Sequence, residues 1–91
     1  ILATKADNWE GDHSINRTIY EVAQAEDVPL WNFWRAVQFV PNNGLSEDDF
    51  HLTFARNFFD DPERLQNGWP IRNLTALAAI DAVWRDLNGE G

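Results

Sequence analysis

The sequence predicts an α/β fold: a parallel βαβ unit followed by a C-terminal helix. Three observations lead there. Two short apolar stretches, Ile1-Leu2-Ala3-Thr4 and Val28-Pro29-Leu30-Trp31-Asn32-Phe33, flank a segment in which Ile15, Ile19, Val22 and Ala23 recur at helical spacing. The intervening run of about 14 helical residues is a crossover rather than a hairpin, so the strands must be parallel and the connection right-handed. Finally, Leu74, Leu77, Ile80, Trp84 and Leu87 share one face of a helix from about Asn73 to Leu87, widened by Ala76, Ala78, Ala79 and Ala82.

Each element has its punctuation. Residues 5–13 are polar and turn-like, ending in Gly11-Asp12-His13-Ser14. Asp12 or Ser14 can cap the first helix by accepting from its free N–H groups. That helix should end near Asp27, because Pro29 disfavours the helical conformation at Val28. Pro29 also fits best at the start of the second strand. Trp34–Gln38 suggests one helical turn, and Pro41-Asn42-Asn43-Gly44 is a turn cluster. Leu45 to Thr53 reads as a loop. Residues 54–70 read as an irregular, aromatic-rich insertion before the last helix, with a short helix starting at Pro62. Asn88-Gly89 stops the C-terminal helix. No internal repeat or low-complexity tract is present.

Composition narrows the function. The chain has 91 residues, with 7 Lys+Arg against 15 Asp+Glu and a net charge of -8. Nucleic acid and anionic membrane surfaces need clustered cations, so neither is an expected partner. No apolar run reaches the roughly 20 residues of a membrane span. Cysteine is absent, which removes disulfides, Cys-ligated metals and a cysteine nucleophile. The lack of Cys fits either side of a membrane, and an extracytoplasmic location is favoured. Hydrophobic residues make up 44% of the chain, too many for a disordered segment. Methionine is also absent and residue 1 is Ile. With a strand-like N-terminus, this reads as one partial domain, residues 1–91, of a longer protein; a mature domain freed of its leader is the competing reading. Two parallel strands alone do not make a stable sheet. The expected neighbour is therefore the N-terminal part of the same domain or a self-associated copy.

Asp48-Asp49-Phe50-His51 is the stretch richest in chemistry. Asp48 can accept the Nδ1–H of His51, set its tautomer and stabilise the imidazolium, leaving Nε2 to take a proton from a nucleophile. Alone, D-x-x-H is a weak motif, and a solvated loop histidine is the plain alternative. Its setting strengthens it. Strand, helix, strand with Val28-Pro29-Leu30-Trp31-Asn32, turn, then Gly44-Leu45-Ser46-Glu47-Asp48-Asp49-Phe50-His51-Leu52 resembles the C-terminal half of the SGNH (GDSL-type) hydrolase family. The helix start Arg72-Asn73-Leu74-Thr75-Ala76-Leu77 is similar to that of a subgroup of bacterial members.

The resemblance implies the second half of a flavodoxin-like three-layer fold and a serine esterase of SGNH type acting on a small carboxylic ester. It implies His51 as base and Asp48 as its orienter, with no metal and no cofactor. The family's nucleophile block and its two oxyanion-hole blocks are absent from this chain. The nucleophilic Ser is thus expected outside it, and the isolated chain is expected to be inactive. The alternative is a non-catalytic fragment or a small oligomerising interaction module.

Other residues have plainer readings. Gly11-Asp12-His13-Ser14 resembles Gly-Asp-Ser with one insertion, but it sits between two late strands, so Ser14 is read as a helix cap. A site pairing Ser14 with His51 is the lesser option. Asp12, His13, Asp48 and His51 lack metal-ligand spacing. Trp31, Phe33, Trp34 and Trp84 are read as core. Trp69 with Phe54, Phe58 and Phe59 either packs the irregular segment or lines an acyl or sugar pocket beside His51. Asn16-Arg17-Thr18 and Asn73-Leu74-Thr75 match the glycosylation acceptor pattern but fall in expected helices.

Overall fold

The computed structural model describes residues 1–89. It is mixed α/β, with a two-stranded parallel sheet and a long C-terminal helix. Strand β1 (Leu2–Ala3) pairs with β2 (Leu30–Trp31) in the register Leu2 to Leu30 and Ala3 to Trp31. The amides of Leu2 and Thr4 donate to the carbonyls of Pro29 and Trp31 at 2.9 and 3.1 Å. Both strands are shorter than the apolar stretches that announce them.

Helix α1 (Ser14–Ala25) forms the crossover. It ends in a Schellman arrangement: Asp27 takes a positive φ of 53°, its N–H donates to Gln24, and the Val28 N–H donates to Ala23. Aspartate tolerates this left-handed position because its short polar side chain carries little steric cost there. At the other end neither expected cap bonds as a side-chain N-cap. His13 occupies the cap position with φ 57° and makes no side-chain cap bond. Asp12 instead accepts the Ser14 N–H at 3.0 Å. The Ser14 hydroxyl, and then that backbone bond, hold the Asp12 carboxyl below its ordinary range.

Phe33 is helical rather than the end of a strand. It opens helix α2 (Phe33–Ala36) because the Asn32 side chain caps it, accepting from the Arg35 N–H. The same Asn32 oxygen accepts the Thr4 hydroxyl, and the Thr4 oxygen accepts the Trp34 N–H. Buried Thr4 thus ties the end of β1 to the start of α2. A 3₁₀ turn follows at Pro41–Gly44, with Asn42 and Asn43 both left-handed. The short helix expected at Pro62 is a 3₁₀ turn at Arg64–Gln66.

Helix α3 runs Gly68–Leu87 and so begins five residues before the expected Asn73, which shortens the irregular segment to residues 54–67. Its start is held by Thr53, fifteen residues upstream. The Thr53 hydroxyl accepts the Gly68 N–H, and the Thr53 carbonyl accepts the Trp69 N–H. These are two of the donors every helix N-terminus leaves unpaired. Pro70 is fully buried in this first turn, where a missing N–H costs nothing.

The core is small. Ala6, Phe33, Val37 and Leu45 are buried, with Trp31, Val40, Leu52 and Ile71 packed against them. The molecule is a slab of 40 × 34 × 15 Å with a radius of gyration of 14.1 Å, against about 12 Å for a globular domain of this length. Only the first turns of α3 reach the core. Leu77, Ile80, Trp84 and Leu87 share a face as expected but are exposed, Trp84 by 57% and Leu87 by 79%. Trp84 is therefore not a core residue in this chain. Ile15 and Val22 on α1 are likewise open, while Ala23 is buried. Among the described residues no helix is long and apolar enough to cross a membrane.

Candidate active site

The segment carrying Asp48 and His51 is a closed loop on a fixed base. Leu45 and Leu52 form an antiparallel bridge. Ser46 N–H donates to the His51 carbonyl and Thr53 N–H to the Gly44 carbonyl, both at 2.8 Å. Buried Leu45 anchors one arm in the core, and Thr53 ties the other to α3. Between them Asp49 takes a left-handed φ of 56° and turns the chain.

Asp48 performs two tasks with two oxygens. Oδ1 accepts the N–H groups of Phe50 and His51, each at 3.0 Å, and so shapes the turn. Oδ2 lies 2.6 Å from His51 Nδ1. An ionised carboxylate can only accept, so the proton of this bond sits on Nδ1. Nε2 makes no hydrogen bond among the described residues and is left as the basic or acidic end of the ring. The bond from His51, then those from the two backbone amides, lower the Asp48 carboxyl to a pKa of about 2. Asp49 points elsewhere: its Oδ1 accepts the Asn42 amide at 3.1 Å.

Because the folded-state pKa of Asp48 lies below its ordinary value of 3.8, its stabilising effect on the loop is present above that value and lost as pH falls towards 2. Acidification from pH 4 to pH 2 is expected to release the Phe50 and His51 amides into faster hydrogen exchange. An Asp48→Asn variant should show no such step in this window, since an amide side chain does not titrate. A step of equal size in the variant would show that other groups hold the loop.

Aromatic rings continue from the imidazole. Phe50 meets His51 edge-on with centroids 4.9 Å apart, and Trp9 lies 5.4 Å from Phe50. The sequence offered Trp69, Phe54 and Phe58 either as packing for the irregular segment or as a wall here. Arg64 stacks over Phe58. Arg72 lies between Trp69 and Trp31. Phe54 is open to solvent. Phe50 was legible only as the residue between Asp48 and His51, and Trp9 had no signal, because it arrives from a loop 41 positions away.

Trp9 is held by a built network. Lys5 Nζ bridges Asp7 and Glu10, and the Asn16 side chain pairs with both the N–H and the carbonyl of Lys5. Buried Asp7 also accepts the Trp9 N–H. The loop after β1 and the helix after β2 thereby meet the Asp48 loop in one groove beyond the carboxyl ends of the strands, the usual place for sites in parallel sheets.

None of the remaining candidates bonds to the Asp48–His51 pair among the described residues, although His13 also lines the groove. Ser14 is in the first turn of α1 and makes no hydrogen bond to His51 among the described residues. His13 Nε2 faces the Asn8 amide at 3.2 Å, and its ring stands edge-on to Trp34. Asp12, His13, Asp48 and His51 do not converge, and no group of three or more metal-ligating side chains occurs among the described residues. Asn16 and Asn73 lie within α1 and α3. Compared with protein-family models, with curated proteins and with solved structures, the chain matches none.

Proposed function

We propose that this chain supplies the base and its orienter to a serine ester hydrolase of SGNH type, within the second half of a flavodoxin-like three-layer domain. The observation that carries the proposal is the 2.6 Å contact between Asp48 Oδ2 and His51 Nδ1, with Nε2 left open. The parallel βαβ unit and the position of the loop beyond the strand ends support it. In the proposed mechanism His51 Nε2 removes the proton from a Ser hydroxyl outside this chain as its oxygen attacks the ester carbonyl carbon. The tetrahedral intermediate collapses, the C–O bond to the alcohol breaks, and Nε2–H protonates the leaving alkoxide. Water then attacks the acyl-enzyme, with His51 again as base, and releases the carboxylic acid. Asp48 stays ionised and compensates the imidazolium.

A fluorophosphonate probe tests this, because it phosphonylates only an activated Ser. In the hydrolase containing this chain the labelled peptide is expected to carry a Ser other than Ser14 and Ser46, the two in this sequence. Labelling should vanish in His51→Ala. Labelling of Ser14 or Ser46, or labelling that survives His51→Ala, would defeat the proposal. The open apolar face of α3 favours a second reading, a non-catalytic module that self-associates through it. That reading requires no labelled Ser at all and a concentration-dependent oligomer.

A further inference from the structure

Strand alternation puts Thr4, Leu30 and Asn32 on one face of the sheet, the face that α1 crosses. Helix α1 packs on β1. Beside it a cavity of about 330 Å³ opens between α1, β2 and α2. Leu30, the Tyr20 ring and the Trp34 indole make its walls largely apolar. His13 and Trp34 line both this cavity and the groove beside the Asp48 loop, so the two spaces share a wall. Neither Asp48 nor His51 lines the cavity, and the acid–base pair does not account for it.

Hydrogen bonding in the lining runs one way: the side-chain acceptors are engaged and the donors are left over. Thr4 Oγ1 accepts the Trp34 N–H, and Asn16 Oδ1 accepts the Lys5 N–H. Asn32 Oδ1 accepts the Thr4 hydroxyl and the Arg35 N–H, and the Tyr20 oxygen accepts the Gln24 amide. Asn8 Oδ1 accepts the His13 N–H, which sets its NH₂ group as the donor to His13 Nε2 and leaves the proton of a neutral imidazole on Nδ1. Among the described residues that Nδ1–H, the Asn32 NH₂, the Trp34 indole N–H and the Tyr20 O–H donate to no protein group. Arg17 uses its guanidinium on one contact, 3.5 Å from the Asp12 carbonyl. No acidic side chain lines the cavity among the described residues, in a chain of net charge -8.

These features select among ligand classes. Free donors beside a guanidinium call for acceptors and negative charge, and the apolar walls call for a ring. A cation finds no carboxylate here. A neutral hydroxylated ligand would bring donors to a lining whose side-chain acceptors are already engaged. Inorganic phosphate would pair with Arg17 but leave Leu30, Tyr20 and Trp34 without a partner. An aromatic carboxylate uses both parts. Its carboxylate takes two parallel N–H···O bonds from a guanidinium, and its ring packs against indole and phenol. The volume lies at the small end of ligand sites, which suits one ring on a short arm.

We infer that the cavity between α1 and the β2–α2 corner binds a small aromatic carboxylate, with Arg17 as its charge partner. The inference stands apart from the hydrolase reading, because it uses neither member of the Asp48–His51 pair. The test is an NMR titration of the 91-residue chain with 3-phenylpropionate, 3-phenylpropanol and inorganic phosphate. 3-Phenylpropionate should shift the Trp34 indole N–H and the Asn32 side-chain amide while the Trp9 indole stays in place. The alcohol keeps the ring and loses the charge, and should bind about tenfold more weakly or worse. Phosphate should shift neither signal at the same concentration. Arg17→Gln should weaken 3-phenylpropionate about tenfold and remove most of the preference for acid over alcohol. Arg17→Lys should recover part of it, since lysine keeps the charge without the paired donors. Arg17 and Arg35 are both exposed on helices, so neither substitution touches the core. Arg35→Gln lies outside the lining and should leave affinity within about twofold. Absent Trp34 and Asn32 shifts, equal binding of acid and alcohol, or the same shifts from phosphate alone would overturn the inference. So would an Arg17→Gln affinity equal to that of Arg35→Gln.

Discussion

Replacing His51 with Ala is expected to lower ester turnover by roughly four to six powers of ten in the hydrolase that carries the nucleophile, leaving the residual supplied by oxyanion stabilisation and binding. The size follows from its position, because His51 is the one imidazole in the Asp48 loop and its Nε2 is the end left open. Asp48→Asn should cost about as much or less, on the order of four powers of ten. This substitution is informative because it separates folding from chemistry. An asparagine oxygen can still accept the Phe50 and His51 amides and keep the turn. Its NH₂ group, however, meets Nδ1 as a donor, which moves the imidazole proton to Nε2 and removes the base. KM for a simple aryl ester should change little in either variant, and Asp49→Asn should be mild. The isolated chain should not turn over ester at all. Turnover that survives His51→Ala, or an Asp49→Asn loss equal to that of Asp48→Asn, would place the base elsewhere.

Gly68→Ala is expected to be the most damaging single methyl in the molecule. A Cβ at Gly68 would overlap the Gly44 carbonyl oxygen and come within 2.9 Å of Leu52 Cδ2. Neither neighbour can yield easily. The Gly44 carbonyl already accepts from Thr53, and Leu52 is the bridge partner of Leu45. The contact is reciprocal, since a Cβ at Gly44 would come 2.9 Å from the Gly68 Cα, and Gly44 has a φ of 72°. Overpacking of this kind costs about 1–3 kcal/mol, so thermal denaturation should shift down by about 4–24 °C in a chain of this length. Because Gly44 and Leu52 frame the loop, the loss should also disorder Asp48 and His51, seen as faster exchange of their amides. An Ala variant with an unchanged melting temperature would show that α3 can slide away from the loop without consequence.

The parallel pairing of Leu2–Ala3 with Leu30–Trp31, and the helix between them, were readable because periodicity, Pro29 and the length of the crossover are local or nearly local signals. The Asp48–His51 pair was readable for the same reason: three residues of separation and one turn fix the geometry. What escaped was set by partners distant in the chain. The start of α3 moved to Gly68 because Thr53, fifteen residues earlier, satisfies its first amides. Phe33 left the strand because Asn32 caps a helix while also holding Thr4 from the other strand. The amphipathic stripe of α3 correctly marked one face, but a stripe carries no information about which of its turns meets a core, and here only the first does. Trp9 reached the imidazole through Phe50 because Lys5, Asp7 and Asn16 shape its loop, a convergence that no spacing rule encodes. Short-range hydrogen bonding and hydrophobic period therefore wrote the elements and the Asp48–His51 contact into the chain, whereas helix ends, burial and the groove wall depended on contacts whose partners are apart in sequence and meet only when the loops close on one another.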